Sequence, residues 1–149
     1  NCKMSGLQYR IYNKMYESEK NNMGRVMPSK SEDVTKLSNS FFIGARYISN
    51  IVFPNGKTNE EGFRSLTKDK IIKSLETYST KFARLIKKVK NAKGKVFIYS
   101  GFKKYAGLYT ISKILDAFGY KDYAKHGEGK KRYADLISNI TFSLLSKEI

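Results

Sequence analysis

Apolar positions change their period several times along the chain, and each change predicts an element. Leu7, Ile11 and Met15 recur four residues apart, with Tyr12 and Tyr16 beside them. That stripe predicts an amphipathic helix through about Lys20. Ser5 stands where a cap is needed, and Gln8 three residues on completes a capping box. Residues 21–37 show no period, hold Gly24 and Pro28, and read as a mobile surface loop. Phe41, Phe42, Ala45, Ile48 and Ile51 predict a second, short helix that ends at Asn50 and Pro54. Residues 55–66 read as another mobile loop, with Asn55-Gly56 as a turn signal. Thr67 caps a predicted helix through Leu75, and Ser79 caps the next. There Phe82, Leu85, Ile86 and Val89 form the apolar stripe, while Lys81, Arg84, Lys87, Lys88 and Lys90 take the other side.

The period then breaks. Val96 to Tyr99 is an unbroken apolar run that follows Gly94 and ends in Ser100-Gly101. Leu108, Ile111, Leu115 and Phe118 resume helical spacing, with Ile114 on the flank, and stop at Gly119. A short apolar run, a loop and an amphipathic helix predict one βα unit of a parallel sheet. Further on, Lys130-Lys131-Arg132 precede Tyr133, and Ile140 to Ile149 suits a last helix. The expected class is α/β: N-terminal helices, then a partial parallel sheet flanked by helices.

Length allows one core and no comfortable second domain, at 149 residues. The first residue is Asn1 rather than Met, so the chain is expected to be a piece of something longer. No run is long and apolar enough to span a membrane, and no membrane partner is expected. The single cysteine, Cys2, excludes an internal disulfide and fits a reducing, intracellular compartment. One histidine, His126, and one cysteine are too few for a usual zinc site, so no metal ligands are assigned.

Charge sharpens the picture where it concentrates. The net charge of +16 comes from 29 basic and 13 acidic side chains. With 23 lysines against 6 arginines, codon bias explains part of it. Residues 79–104, however, carry nine basic side chains and no acidic one. That segregation points to a polyanion partner.

No catalytic constellation is complete. No Gly-x-x-x-x-Gly-Lys-Ser/Thr phosphate cradle is present. The pairs Glu32-Asp33 and Glu60-Glu61 lack a partner histidine and read as solubilising. The remaining candidate is the loop after Tyr99. Ser100, Gly101, Phe102, Lys103 and Lys104 precede a helix whose first N–H groups and positive dipole end favour a phosphate. Phe102 reads equally well as a packing plug. Lys130, Lys131 and Arg132 form a second candidate patch for nucleic acid.

Several segments resemble one family. They are Met4-Ser5-Gly6-Leu7-Gln8-Tyr9-Arg10-Ile11-Tyr12; Arg46-Tyr47-Ile48-Ser49-Asn50 with Ile51-Val52-Phe53-Pro54; Ser79-Thr80-Lys81; Lys95 to Phe102; and Phe118-Gly119-Tyr120. In this order they resemble superfamily 2 helicases of the chromatin-remodeller-like ATPase branch. The Asn-x-Val-Phe-Pro form looks most like the helicases and early-transcription ATPases of large cytoplasmic DNA viruses. The resemblance implies a RecA-like sheet. It makes residues 1–78 a helical linker region and residues 79–149 the first part of the second motor lobe. It implies that the Ser100–Lys104 loop contacts nucleic-acid backbone; DNA is expected ahead of RNA, with the choice left open by the sequence. It also implies a first helicase lobe in the same parent chain, with ATP and magnesium bound by that parent, in a viral factory or virion. The family's phosphate loop and arginine fingers are not in this sequence, so this chain alone is not expected to hydrolyse ATP. Two other readings stay open: a stand-alone basic nucleic-acid-binding module without enzyme activity, and a helical interaction domain whose charge is compositional.

Overall fold

The computed structural model describes residues 2–23 and 42–134, and the following concerns those residues. Seven helices and two very short strands run in the order α1 (Gly6–Met23), α2 (Ile43–Asn50), α3 (Glu60–Ser65), α4 (Lys68–Tyr78), α5 (Thr80–Asn91), α6 (Leu108–Ala117), β1 (Lys121–Asp122), α7 (Tyr123–His126) and β2 (Arg132–Tyr133). Most of the expected 21–37 loop and the expected helix at Ile140–Ile149 lie outside the described residues.

Local side-chain chemistry sets most helix starts. The Thr67 hydroxyl accepts from the Lys70 N–H, and the Ser79 hydroxyl from the Phe82 N–H, as their spacing predicts. Ser5 accepts from Gln8 N–H at 3.1 Å and donates to Thr77 O at 2.6 Å, which ties the start of α1 to α4. The other half of the expected capping box is absent. Gln8 is buried, and its Nε2 donates to Ile48 O at 2.9 Å and Ser49 O at 3.3 Å, at the end of α2. The start of α2 is capped from outside. Its flanking Phe42 makes no side-chain cap, and the Glu19 carboxylate of α1 accepts from Gly44 N–H at 2.7 Å and Ala45 N–H at 3.0 Å. A carboxylate there also meets the positive end of the α2 dipole.

One core holds the helices together. Ile51, Phe53, Leu66, Ile71 and Leu75 meet Phe82, Ile86, Ile111, Ile114 and Leu115, so the core runs across residue 78. The stripe of α5 faces that of α6, and Ile98 packs beside Leu85, Val89 and Ile114 at a shallow apolar pocket between them.

The expected strand at Val96–Tyr99 is the main correction. Those residues form no strand; Phe97 is 78% and Tyr99 83% exposed. A strand exists only where a second segment pairs with its N–H and C=O groups, and among the described residues none does. The sheet that forms is smaller and later: β1 and β2 pair in parallel, Lys121 opposite Arg132 and Asp122 opposite Tyr133. The chain is therefore mixed but mainly helical, with a two-stranded parallel sheet. A second difference is α3, inside the segment read as a loop at 55–66. Asn59 caps it, and Glu60 pairs with Arg64 one turn on. No helix among the described residues is long and apolar enough to cross a membrane.

Candidate nucleic-acid interface

Asn50, the last residue of α2, joins three segments that lie far apart in sequence. Its Nδ2 donates to Ala106 O at 2.8 Å, in the loop before α6. Its Oδ1 accepts from Lys81 Nζ at 2.7 Å, on α5. Its backbone carbonyl accepts from the Ser79 hydroxyl, which also caps α5. Next to it, Val52 N–H donates to Tyr78 O at 2.9 Å. The segments around Arg46–Asn50, Ser79–Lys81 and Ser100–Gly107 thus meet at one point, with Gln8 bonded to the two residues before Asn50.

The loop expected to hold phosphate has a different internal design from the one predicted. The Ser100 hydroxyl accepts from Phe102 N–H at 3.2 Å and donates to Phe102 O at 2.8 Å. The N–H groups of Gly107, Leu108 and Tyr109 donate to the carbonyls of Lys104, Phe102 and Lys103 at 3.0–3.1 Å. These donors at the start of α6 are therefore spent inside the loop, and the expectation that they stand free is corrected. The loop coils back on itself, so α6 begins only at Leu108. Gly101 is exposed, with open space where a side chain would stand. Lys103 and Lys104 are both exposed at the surface of this coil.

Phe102 is a packing residue on α2 rather than between strand and helix. Its ring meets Tyr47 edge-on at 5.5 Å, and the Arg46 guanidinium lies 5.5 Å from the ring centre. That cation–π contact gives Arg46 a partner within the chain. Burial pushes the Tyr47 hydroxyl up to about 12, partly opposed by a backbone hydrogen bond from Ala106. A raised acid holds its proton longer in the folded state. Its stabilisation is complete below the unfolded value of about 10 and is lost as pH rises through about 12. A Tyr47→Phe chain is therefore expected to lose less stability than wild type between pH 10 and 12. Urea unfolding across that window checks it, and equal losses would rule it out.

The second candidate patch is elsewhere. Arg132 turns inward: its Nε donates to Gly127 O at 2.9 Å and its Nη1 to Lys130 O at 3.1 Å, closing the turn before β2. Lys131 lies 6.0 Å from the Tyr120 ring centre, and Lys130 is exposed. Lys131 O accepts from Lys121 N–H, beyond the C-terminal end of α6, whereas Lys103 and Lys104 precede its N-terminal end. The two patches thus sit at opposite ends of a ten-residue helix, about 15 Å long, and do not form one site.

No group of three or more potential metal ligands occurs among the described residues. Glu60 and Glu61 pair with Arg64 and Lys57, which fits a solubilising role. His126 is exposed at the end of α7. Glu32 and Asp33 lie outside the described residues.

No protein-family profile matches the chain, and no solved structure matches it. Over 135 residues, 89% of the chain, the sequence is 40% identical to a protein of Acanthamoeba polyphaga mimivirus named "Putative ATP-dependent RNA helicase". The chain spans 22% of the length of that relative. It is thus similar, over most of its sequence, to a segment of a viral protein with a helicase name.

Proposed function

We propose that the chain is part of a viral nucleic-acid-dependent ATPase of the helicase type. Residues 1–78 supply the linker helices and residues 79–149 the first half of a second, RecA-like motor lobe. The observation that carries this reading is the 40% identity over 89% of the chain. The hydrogen bonds centred on Asn50 support it, because they unite the same segments that resemble the helicase family in sequence. The relative's name gives no support to DNA over RNA, so either strand is a candidate ligand. A role in transcription rests on the sequence resemblance alone.

In this reading the chain holds one strand's backbone while ATP and magnesium, bound by the parent protein, close and open the lobes. The Ser100–Lys104 coil presents Lys103 and Lys104, which hold phosphates without reading bases. Ser100 and Phe102 shape the coil, and Gly101 keeps its outer side open.

Lys103→Glu/Lys104→Glu tests the grip. Binding to labelled single-stranded RNA and DNA should fall steeply with salt in wild type, by about 0.7 log units per contacted phosphate for each decade of salt. The double variant, folded by circular dichroism, should bind about tenfold or more weakly at low salt. Equal binding by the variant would remove the coil from the interface. No binding by wild type at low salt would overturn the reading.

A further inference from the structure

Arg46 is exposed near the middle of α2, on the side that meets the Ser100–Lys104 coil. Its guanidinium lies over the Phe102 ring, 5.5 Å from the ring centre, and enters none of the three ion pairs among the described residues. Arg64 and Arg132 differ. The Arg64 guanidinium is spent on the Glu60 carboxylate, and that of Arg132 on the carbonyls of Gly127 and Lys130. Among the described residues, no hydrogen-bond acceptor meets the Arg46 guanidinium. The carboxylate that reaches α2, Glu19, has both oxygens on the Gly44 and Ala45 N–H groups. A cation–π contact uses the face of the ring and leaves the N–H fork of the arginine unbonded.

The ring that carries Arg46 is fixed from several sides. Phe102 N–H donates to Ser100 Oγ, and Phe102 O accepts from the Ser100 hydroxyl and from Leu108 N–H. Tyr47, the neighbour of Arg46 on α2, meets the same ring edge-on at 5.5 Å. A side chain resting on such a platform has less freedom to lose when a ligand binds. One turn along α2, on the same side as Arg46, Asn50 holds Ala106 and Lys81. The partner of Lys81 there is a neutral amide, so the lysine keeps its full charge. Lys103 and Lys104 follow Phe102 directly. Arg46, Lys81, Lys103 and Lys104 thus border one junction, and none of them has a carboxylate partner among the described residues.

We propose that Arg46 is a phosphate ligand of this junction, clamping one backbone phosphate through two parallel N–H···O bonds beside Lys103 and Lys104. This deepens the nucleic-acid reading above and rests on it. The planar fork of a guanidinium matches two phosphate oxygens at once, whereas a lysine acts as a point charge. Arg46 therefore fixes where and at what angle the backbone sits, and the lysines hold the neighbouring phosphates. A lone carboxylate of a partner protein would suit the same fork. The surrounding lysines favour nucleic acid, because a strand brings a charge with every nucleotide and releases counterions at each contact. In this arrangement Phe102 is a positioning residue that acts through Arg46.

The experiment compares wild type, Arg46→Gln, Arg46→Lys and Lys103→Glu/Lys104→Glu. Each is titrated with a short fluorescein-labelled single-stranded RNA across a salt series, and its fold is checked by urea unfolding. Arg46→Gln is expected to bind about tenfold more weakly at low salt, with a salt slope smaller by about 0.7 for one lost contact. Arg46→Lys should keep the wild-type slope and still bind several-fold more weakly, because its charge stays and its fork is gone. Wild-type affinity and slope in folded Arg46→Gln, beside lost binding in the coil variant, would overturn this inference and leave the general reading standing. Weaker binding by Arg46→Gln with an unchanged slope would make Arg46 a structural residue and overturn it too. Wild-type affinity in Arg46→Lys would overturn the two-bond clamp. Equal displacement of the labelled RNA by polyglutamate and by unlabelled RNA would overturn it in favour of an acidic protein partner. Failure of wild type to bind RNA or DNA at all would overturn both readings.

Discussion

A Gly107→Ala chain should lose about 3 kcal/mol or more of stability, the range reached when a side chain must displace fixed backbone. A Cβ on Gly107 would stand 1.7 Å from Phe102 O and 2.4 Å from Phe102 C. The Phe102 carbonyl is held by Leu108 N–H at 3.1 Å and by the Ser100 hydroxyl at 2.8 Å. Moving it would uncoil the loop and shift the Phe102 ring off Tyr47. Gly101 is the matched control, since a Cβ there meets nothing within 4 Å. Urea unfolding of both variants measures the difference. A Gly107→Ala midpoint equal to that of Gly101→Ala would refute the coiled geometry of the loop.

Asn50→Ala should cost about 1–3 kcal/mol. It leaves the carbonyl of the buried Ala106 without its donor and releases Lys81. Asn50→Asp separates the two effects. It keeps an acceptor for Lys81 and removes only the donor to Ala106, so it should fall near Asn50→Ala if that bond dominates. Beyond stability, Asn50 fixes the Ser100–Gly107 loop relative to α5. Its loss should therefore weaken RNA binding even at temperatures where the chain stays folded. An Asn50→Ala chain with wild-type stability and wild-type binding would show that the junction has no such role.

These two residues also mark where sequence reasoning reached and where it stopped. The caps at Ser5, Thr67 and Ser79 were legible because a hydroxyl and an N–H three residues on are a local matter. The stripes of α1, α5 and α6 were legible because burial imposes helical spacing. Helix α3 was not, since six residues carry less than two turns of any period; its signals were the Asn59 cap, acidic Glu60 and Glu61, and basic Arg64. The Glu19 cap on α2 joins two helices across an intervening segment, which no local pattern encodes. The strand expected at Val96–Tyr99 does not form, because an apolar pattern states what a segment favours, not whether a partner lies beside it. Within the candidate site, the position of Lys103 and Lys104 ahead of a helix was legible. The capture of the α6 amides by the carbonyls of Phe102, Lys103 and Lys104 was not, because it depends on how the loop coils. The basic face of α5 was visible as a composition.

The exposed run from Val96 to Tyr99 has a consequence for handling the protein. Among the described residues no strand pairs with it, and the exposed Val96, Phe97 and Tyr99 side chains make it a template onto which a second chain can add in cross-β fashion. Lys93 and Lys95 before it, and Lys103 and Lys104 after it, act as gatekeepers by mutual repulsion between molecules. Salt that weakens a nucleic-acid grip also screens those lysines. Colloidal stability and polyanion binding are therefore set by the same charges, and the buffer that strips ligand from the chain is also the one that brings its sticky segments together.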